Sequence, residues 1–272
     1  MSRPSPTLSL NLPNFGDRIT REGVGPLLAA AVAADEAGVD RLVVTDHVVM
    51  GPDAAAYAWG RFPTGPDAPW LEPMTVLSVL AGRTRRIRLG TGVVIAALRG
   101  AAVLAKTAAT LDLLCDGRLD LGVGTGWQAT EYEAAGLAFA RRGALLDDTL
   151  AGIRALWAGA PAALDRPGLT FADVYCSPRP AGRLPIWVSG SLTGPVLRRL
   201  VAWGDGWIPI MDATDEDVAR GVERLRAAFT AAGRDPDTLL VRGRLPVVRS
   251  AGGIDLEASM AGVPAVVATG AT

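Results

Sequence analysis

Short apolar runs alternate with helix-length stretches along almost the whole chain, and this alternation constrains the fold more than any other feature. The runs are "LSLNLP" (8–13), "RLVVT" (41–45), "RIRLGTGVVI" (86–95), "RLDLGVG" (118–124), "PIWVSG" (185–190), "GWIPI" (206–210), "LLVRGRLPVV" (239–248) and "PAVVAT" (264–269). Between them lie helix signals: "VGPLLAAAVAADEAGV" closing at Gly38, a stretch at 73–82, "AAVLAKTAATLDLLC", 145–157, 194–203, and "DEDVARGVERLRAAFTAAG" with acidic residues in its first turn. Continuous apolar strands separated by helices imply a parallel sheet covered on both faces. Eight such strands in 272 residues favour an α/β fold of the (β/α)8 TIM-barrel type over an open doubly wound sheet, in a single domain spanning 1–272. A Gly/Pro/Asp-rich insertion after the second strand, 51–69, is too long for an ordinary βα connection. The last strand candidate is followed at once by the chain end, so the outer helix expected there is missing and the barrel reads as C-terminally truncated. A dimer or further residues would cover the apolar surface that such a truncation leaves.

Composition removes several function classes. Hydrophobic residues make up 49%, and 27 basic against 28 acidic residues leave a formal charge of −1 with no like-charge block, which gives no footprint for nucleic acid or an anionic membrane. No apolar leader and no run of bilayer length is present, so a cytoplasmic location is expected. Cys115 and Cys176 have neither CxxC nor zinc-ligand spacing and read as reduced thiols. One histidine, His47, cannot build a multi-histidine metal centre, so no metal is expected. No GxSxG elbow is present, and the single lysine, Lys106, falls within a helix, which disfavours a serine hydrolase and a Schiff-base enzyme. The heavy use of Arg, Ala, Gly and Pro suggests a GC-rich host genome.

In a barrel of this kind chemistry sits at the C-terminal strand ends. The second ends in "TDH" (Thr45, Asp46, His47), the third in "GTGV" (90–93), the fourth in "GVGTGWQATE" (122–131), the fifth in "SGSLTG" (189–194), and the sixth is approached through "GDGW" (204–207). Glycine-rich turns before helix N-termini let the backbone approach an anionic ligand, and Ser189, Ser191 and Thr193 add hydroxyls. Trp127 occupies the place of the last glycine of a dinucleotide fingerprint, so a Rossmann reading fails. Taken singly, each stretch has a plain structural reading: a Gly-rich end as a turn, "SGSLTG" as a helix cap, Asp46–His47 as a hydrogen-bonded pair.

Taken together, "RIRLGTGVVIAALRGAAVLAKTAATLDLLCDGRLDLGVGTGWQATEYEAAG" and "LPIWVSGS…GDGWIP" resemble the luciferase-like monooxygenase superfamily, closest to its branch that uses the deazaflavin coenzyme F420. The resemblance covers nearly the whole chain in order, and it fits an actinobacterial host. It implies a bacterial-luciferase-like (β/α)8 barrel holding a flavin-type ring at the strand ends, with a cis non-proline bond at Gly92–Val93 against the ring. It implies His47 and Asp46 as the catalytic pair, His47 giving or holding a proton beside the ring and Asp46 positioning the ring or the imidazole. Cofactor contacts carried over are Asp46, Thr91, Gly92, Val93, Thr125, Gly126, Gln128, Ser189, Gly190 and Ser191.

The chain also departs from the family. Trp127 replaces the glutamate of the branch's sugar-phosphate dehydrogenases, "VVMG" replaces their tryptophan beyond the Asp-His pair, and Arg99 lacks its following proline. Glucose-6-phosphate oxidation is therefore not supported, and Trp59, Trp70 and Trp127 suggest an apolar or aromatic substrate site. The resemblance implies an F420-dependent oxidoreductase acting on a small organic substrate. FMN-dependent oxygenation and a non-catalytic flavin-binding barrel are the alternatives, and a homodimer is a possible assembly.

Overall fold

The computed structural model describes residues 6–52, 54 and 56–272. The chain divides into two compact units, one of residues 8–186 and one of residues 187–272 with residues 6 and 7.

In the first unit, β1 (Ser9–Asn11) is followed by the short α1 (Asp17–Glu22), then α2 (Gly25–Glu36) and β2 (Arg41–Val44). After the insertion come α3 (Pro73–Ala81), β3 (Arg88–Thr91), β4 (Val94–Ile95), α4 (Ala96–Leu114), β5 (Leu119–Gly124), α5 (Ala129–Ala134) and α6 (Arg142–Ala158). The strands run parallel: β1 on β2, β2 on β3, and β3 and β4 in turn on β5. β5 is buried at every residue, and Leu42, Val43, Val44 and Leu89 are buried beside it. This is what continuous apolar runs predict for strands covered on both faces.

The single strand expected over 86–95 is two short ones. The Gly92–Val93 peptide bond between them is cis, as the family resemblance implied. Thr91 Oγ1 donates to Gly122 O (2.7 Å) and accepts from Gly122 N (2.9 Å), so its hydroxyl ties β3 to β5 at the interruption. α4 is broken at Gly100 (φ 67°), where its first turn separates from the main body.

Asp120 on β5 is the charged anchor of this unit. Arg41 Nε (2.7 Å) and Arg88 Nε (2.8 Å) both donate to it. Burial pushes its carboxyl upward, but the two guanidinium groups outweigh burial and hold it below the ordinary carboxylate value. A carboxyl lowered on folding adds stability above the unfolded value, near pH 4, and loses it as the pH falls through the folded value. Asp120→Asn should therefore lower the urea midpoint at pH 7. The gap to the parent protein should narrow below about pH 4; a gap independent of pH would refute this.

The segment expected to be loose between α6 and the next strand contains an antiparallel hairpin, β6 (Ala162–Arg166) with β7 (Leu169–Val174). Its alternating exposure marks a surface element, and Gly152 of α6 lies where a methyl group would strike Leu169 and Ala101.

The second unit carries β8 (Ile186–Ser189), which begins at the boundary, then α7 (Gly194–Trp203), β9 (Gly206–Ile208), α8 (Asp215–Ala231) and β10 (Leu240–Val241), with β8, β9 and β10 parallel. α8 starts with a reciprocal capping box between Thr214 and Asp217. Only two residues of "LLVRGRLPVV" form a strand in β10; further on, β11 (Arg249–Ser250) and β12 (Gly253–Ile254) make a small antiparallel pair before α9 (Leu256–Met260).

The expected eighth strand is a correction. "PAVVAT" forms α10 (Val263–Ala268), with proline in its first turn. A short apolar run is ambiguous in period, and proline at a first helical position favours the helix. Among the described residues, no helix is long and apolar enough to cross a membrane.

Candidate active site

The insertion between β2 and α3 begins and ends at one buried residue, Asn14. Its side chain donates to Thr45 O (2.8 Å) and Leu71 O (2.7 Å) and accepts from Thr45 N (3.0 Å). Phe15 stacks on Trp70 with centroids 4.1 Å apart. The excursion therefore leaves and returns at the end of β2, where His47 stands.

His47 is 9% exposed and walled by aromatic rings. Trp70 (4.6 Å), Phe62 (5.4 Å) and Trp127 (5.8 Å) each meet it edge-on, and Tyr57 joins Phe62 and Trp127. A cavity of about 830 Å³ is lined by Asp17, Tyr57, Arg61, Phe62 and Thr64, so Tyr57 and Phe62 belong both to the cavity and to the rings around His47.

The polar side of His47 is built by the first turn of α5. Glu131, 1% exposed, accepts from Val48 N through Oε1 (2.9 Å) and lies 3.1 Å from His47 Nδ1 through Oε2. One turn earlier, Gln128 Oε1 accepts from Gly51 N (2.8 Å). A side chain at Gly51 would collide with Thr130, so only glycine lets the segment lie this close. Gln128 Nε2 is buried and has no hydrogen-bond partner among the described residues. A buried donor of this kind calls for an acceptor from a ligand or water.

The loop before α5 is held by Tyr132, whose hydroxyl donates to Thr125 O (2.6 Å). Burial, assisted by Glu131, pushes that phenol up to about 12 against the opposing pull of Arg142, which keeps it a donor. Gly126 sits at φ 65°, and a Cβ there would come within 3.0 Å of Ile95.

Asp46 faces a different set of partners. Its carboxylate accepts from Ile95 N (2.8 Å) and from both terminal nitrogens of Arg99 (2.6 and 3.0 Å). Arg99 continues to Glu72 (2.8 Å), which caps α3 by accepting from Thr75 N (2.7 Å). Burial lowers the Arg99 pKa, but its two carboxylate partners outweigh burial and raise it. Burial raises Glu72, and the bonds from Thr75 and Arg99 leave it lowered. Asp46 thus ties β2, β4 and α3 together behind the histidine.

The first unit accordingly brings Asp46, His47, Thr91, Gly92, Val93, Thr125, Gly126 and Gln128 to the C-terminal ends of β2, β3 and β5 and the loops that follow them. The other three expected residues belong to the second unit. There Ser189 ends β8 opposite Ile208, Gly190 N donates to Ile208 O (3.1 Å), Gly190 O accepts from Trp207 Nε1 (2.9 Å), and Ser191 is exposed. Sequence reasoning assigned no role to Asn14, Glu72 or Glu131. The acidic residue three positions after Gln128, at the N3 position of a short helix, was the available signal for Glu131.

Parallel strands, a cis bond after the third strand and a histidine at the end of the second are the features that the family resemblance implied. The luciferase-like monooxygenase family model matches residues 8–252, and the chain belongs to that family. It is 35% identical over 237 residues to the phthiodiolone/phenolphthiodiolone dimycocerosates ketoreductase of Mycobacterium tuberculosis, covering 82% of this chain; it spans 61% of that relative's length. Its fold is shared with the monooxygenase RslO1 of Streptomyces bottropensis (TM-score 0.72, 23% identity, 97% of this chain and 78% of the other). It is shared equally with an F420-dependent secondary alcohol dehydrogenase, solved in complex with an F420–acetone adduct (TM-score 0.72, 18% identity, 88% and 68%).

Proposed function

We propose that this chain is an F420-dependent oxidoreductase, built on a (β/α)8 plan, that moves a hydride between the deazaflavin and a carbonyl or alcohol group of a small organic substrate. The observation that carries the reading is His47, set against the buried Glu131 carboxylate inside an aromatic wall. A histidine so placed can give a proton to a carbonyl oxygen or take one from an alcohol. The similarity to a ketoreductase supports a carbonyl as the reacting group.

The residues present fit a flavin-type ring. Gln128 Nε2 is a buried donor with no acceptor among the described residues, and Gly126, at φ 65° with Ile95 packed against it, gives the loop beside it a turn that a side chain would strain. The backbone at Thr91, Gly92 and Val93, the Thr125–Gly126 loop and Gln128 would hold the cofactor, whose ring carbon supplies the hydride chemistry. Ser189, Gly190 and Ser191 are proposed as further cofactor contacts on the resemblance alone.

The second reading, an FMN-dependent monooxygenase, draws on the likeness to RslO1. Paired fluorescence titrations separate the two. Saturable F420 binding with weak FMN binding is expected, followed by anaerobic hydride transfer to a carbonyl. Preference for FMN with oxygen consumption would replace the first reading by the second. A protein that bound cofactor but turned over nothing would leave a carrier.

A further inference from the structure

Glu131 has no room for ambiguity at one of its oxygens. Val48 N–H can only donate, so Oε1 must accept. The other oxygen lies 3.1 Å from His47 Nδ1, in a site from which both side chains are nearly excluded from water. With Glu131 ionised, both of its oxygens are acceptors, and the nitrogen facing each of them carries a hydrogen. The neighbouring carboxylate, Asp46, does not compete for the ring, because Arg99 and Ile95 N occupy it. The aromatic rings that meet the imidazole among the described residues are those of Phe62, Trp70 and Trp127.

The geometry points to Glu131 as a positioning residue that locks His47 with its hydrogen on Nδ1, leaving Nε2 as the single ring atom through which a proton passes. Among the described residues Nε2 has no hydrogen-bond partner. The consequence for turnover rests on the oxidoreductase reading above. In the reducing direction, the imidazolium gives its Nε2 proton to the carbonyl oxygen while the carbonyl carbon receives the hydride, and the ring is left neutral with Nδ1–H still on Glu131. In the oxidising direction the alcohol proton goes to Nε2 and the hydride leaves the carbon.

A glutamine at 131 would reverse the pattern. Val48 N–H would claim its carbonyl oxygen, and its amide N–H would face Nδ1, which must then accept. The neutral ring would be forced to carry its hydrogen on Nε2, where it cannot take a proton from an alcohol.

The chain has one histidine, so the tautomer can be read without assignment. Long-range proton–nitrogen correlation spectra of 15N-labelled protein, recorded without cofactor across a pH series, should show the neutral imidazole protonated at Nδ1. Glu131→Gln should move the hydrogen to Nε2, and Glu131→Asp should keep it on Nδ1. In turnover, Glu131→Gln should lower kcat for alcohol oxidation by on the order of 10²-fold with KM changed less than about threefold, and Glu131→Asp should recover part of the loss. A parent spectrum with the hydrogen on Nε2, or no change of tautomer in Glu131→Gln, would overturn the assignment. Should the glutamine variant fail to fold, the parent and aspartate spectra still decide. If the protein turned over no substrate with F420, the functional reading would fall while the tautomer result stood.

Discussion

His47→Ala should lower kcat by about 10²–10⁴-fold, the range associated with loss of a positioned acid–base group, while F420 affinity changes little. The reasoning is geometric. His47 supplies the ring nitrogen at the centre of the aromatic wall, and the proposed cofactor contacts lie on other residues, at 91–93, 125, 126, 128 and 189–191. Removing the imidazole deletes the proton carrier and leaves those contacts. Glu131 then loses its Nδ1 partner but keeps Val48 N–H, so part of its buried charge remains satisfied. Stopped-flow kinetics and a fluorescence titration of the same variant check both halves. Full activity with bound cofactor would remove His47 from the chemistry, and loss of binding would recast it as a cofactor ligand.

The second large effect concerns stability. Arg99→Ala should destabilise the fold by about 3–5 kcal/mol, because it leaves a buried carboxylate without its partner. The Asp46 side chain is 1% exposed and would keep only Ile95 N–H. The α3 cap at Glu72 would lose its link to α4 in the same step. Arg99→Lys should recover only part of the loss, since an ammonium group cannot hold both Asp46 oxygens in the forked geometry. Urea unfolding of the two variants and Asp46→Asn provides the measurement. A change below about 0.5 kcal/mol in Arg99→Ala would show that the carboxylate does not depend on the arginine, as for an ordinary surface pair.

Much of the fold was legible in the sequence, and the reasons for the failures are specific. Buried parallel strands such as "RLVV" and "RLDLGVG" carry their signal locally, as unbroken apolar runs. "PAVVAT" carries the same signal yet folds as a helix, because a short apolar run with proline near its start fits either period. The β6–β7 hairpin was missed because its alternation is interrupted by charged and turn residues on an exposed face. At the site, the Asp-His pair and the glycine-rich strand ends could be found by motif and resemblance. The partners of those residues could not. Asn14 reaches Thr45 and Leu71, Glu131 reaches His47 across 84 positions, and Arg99 reaches Asp46 across 53, and such pairings exist only once the strands are in register.

The arrangement around His47 also divides labour along the chain. Its polar edge is gripped by α5, whereas its apolar surroundings come largely from the excursion that Asn14 pins at both ends. Under the proposed function, proton handling and substrate choice are therefore written in different stretches of sequence. Residues 56–65 can exchange one ring or side chain for another and reshape the cavity while Glu131 and His47 stay as they are. On that reading, a change of substrate would call for changes in one loop and none in the proton-handling pair.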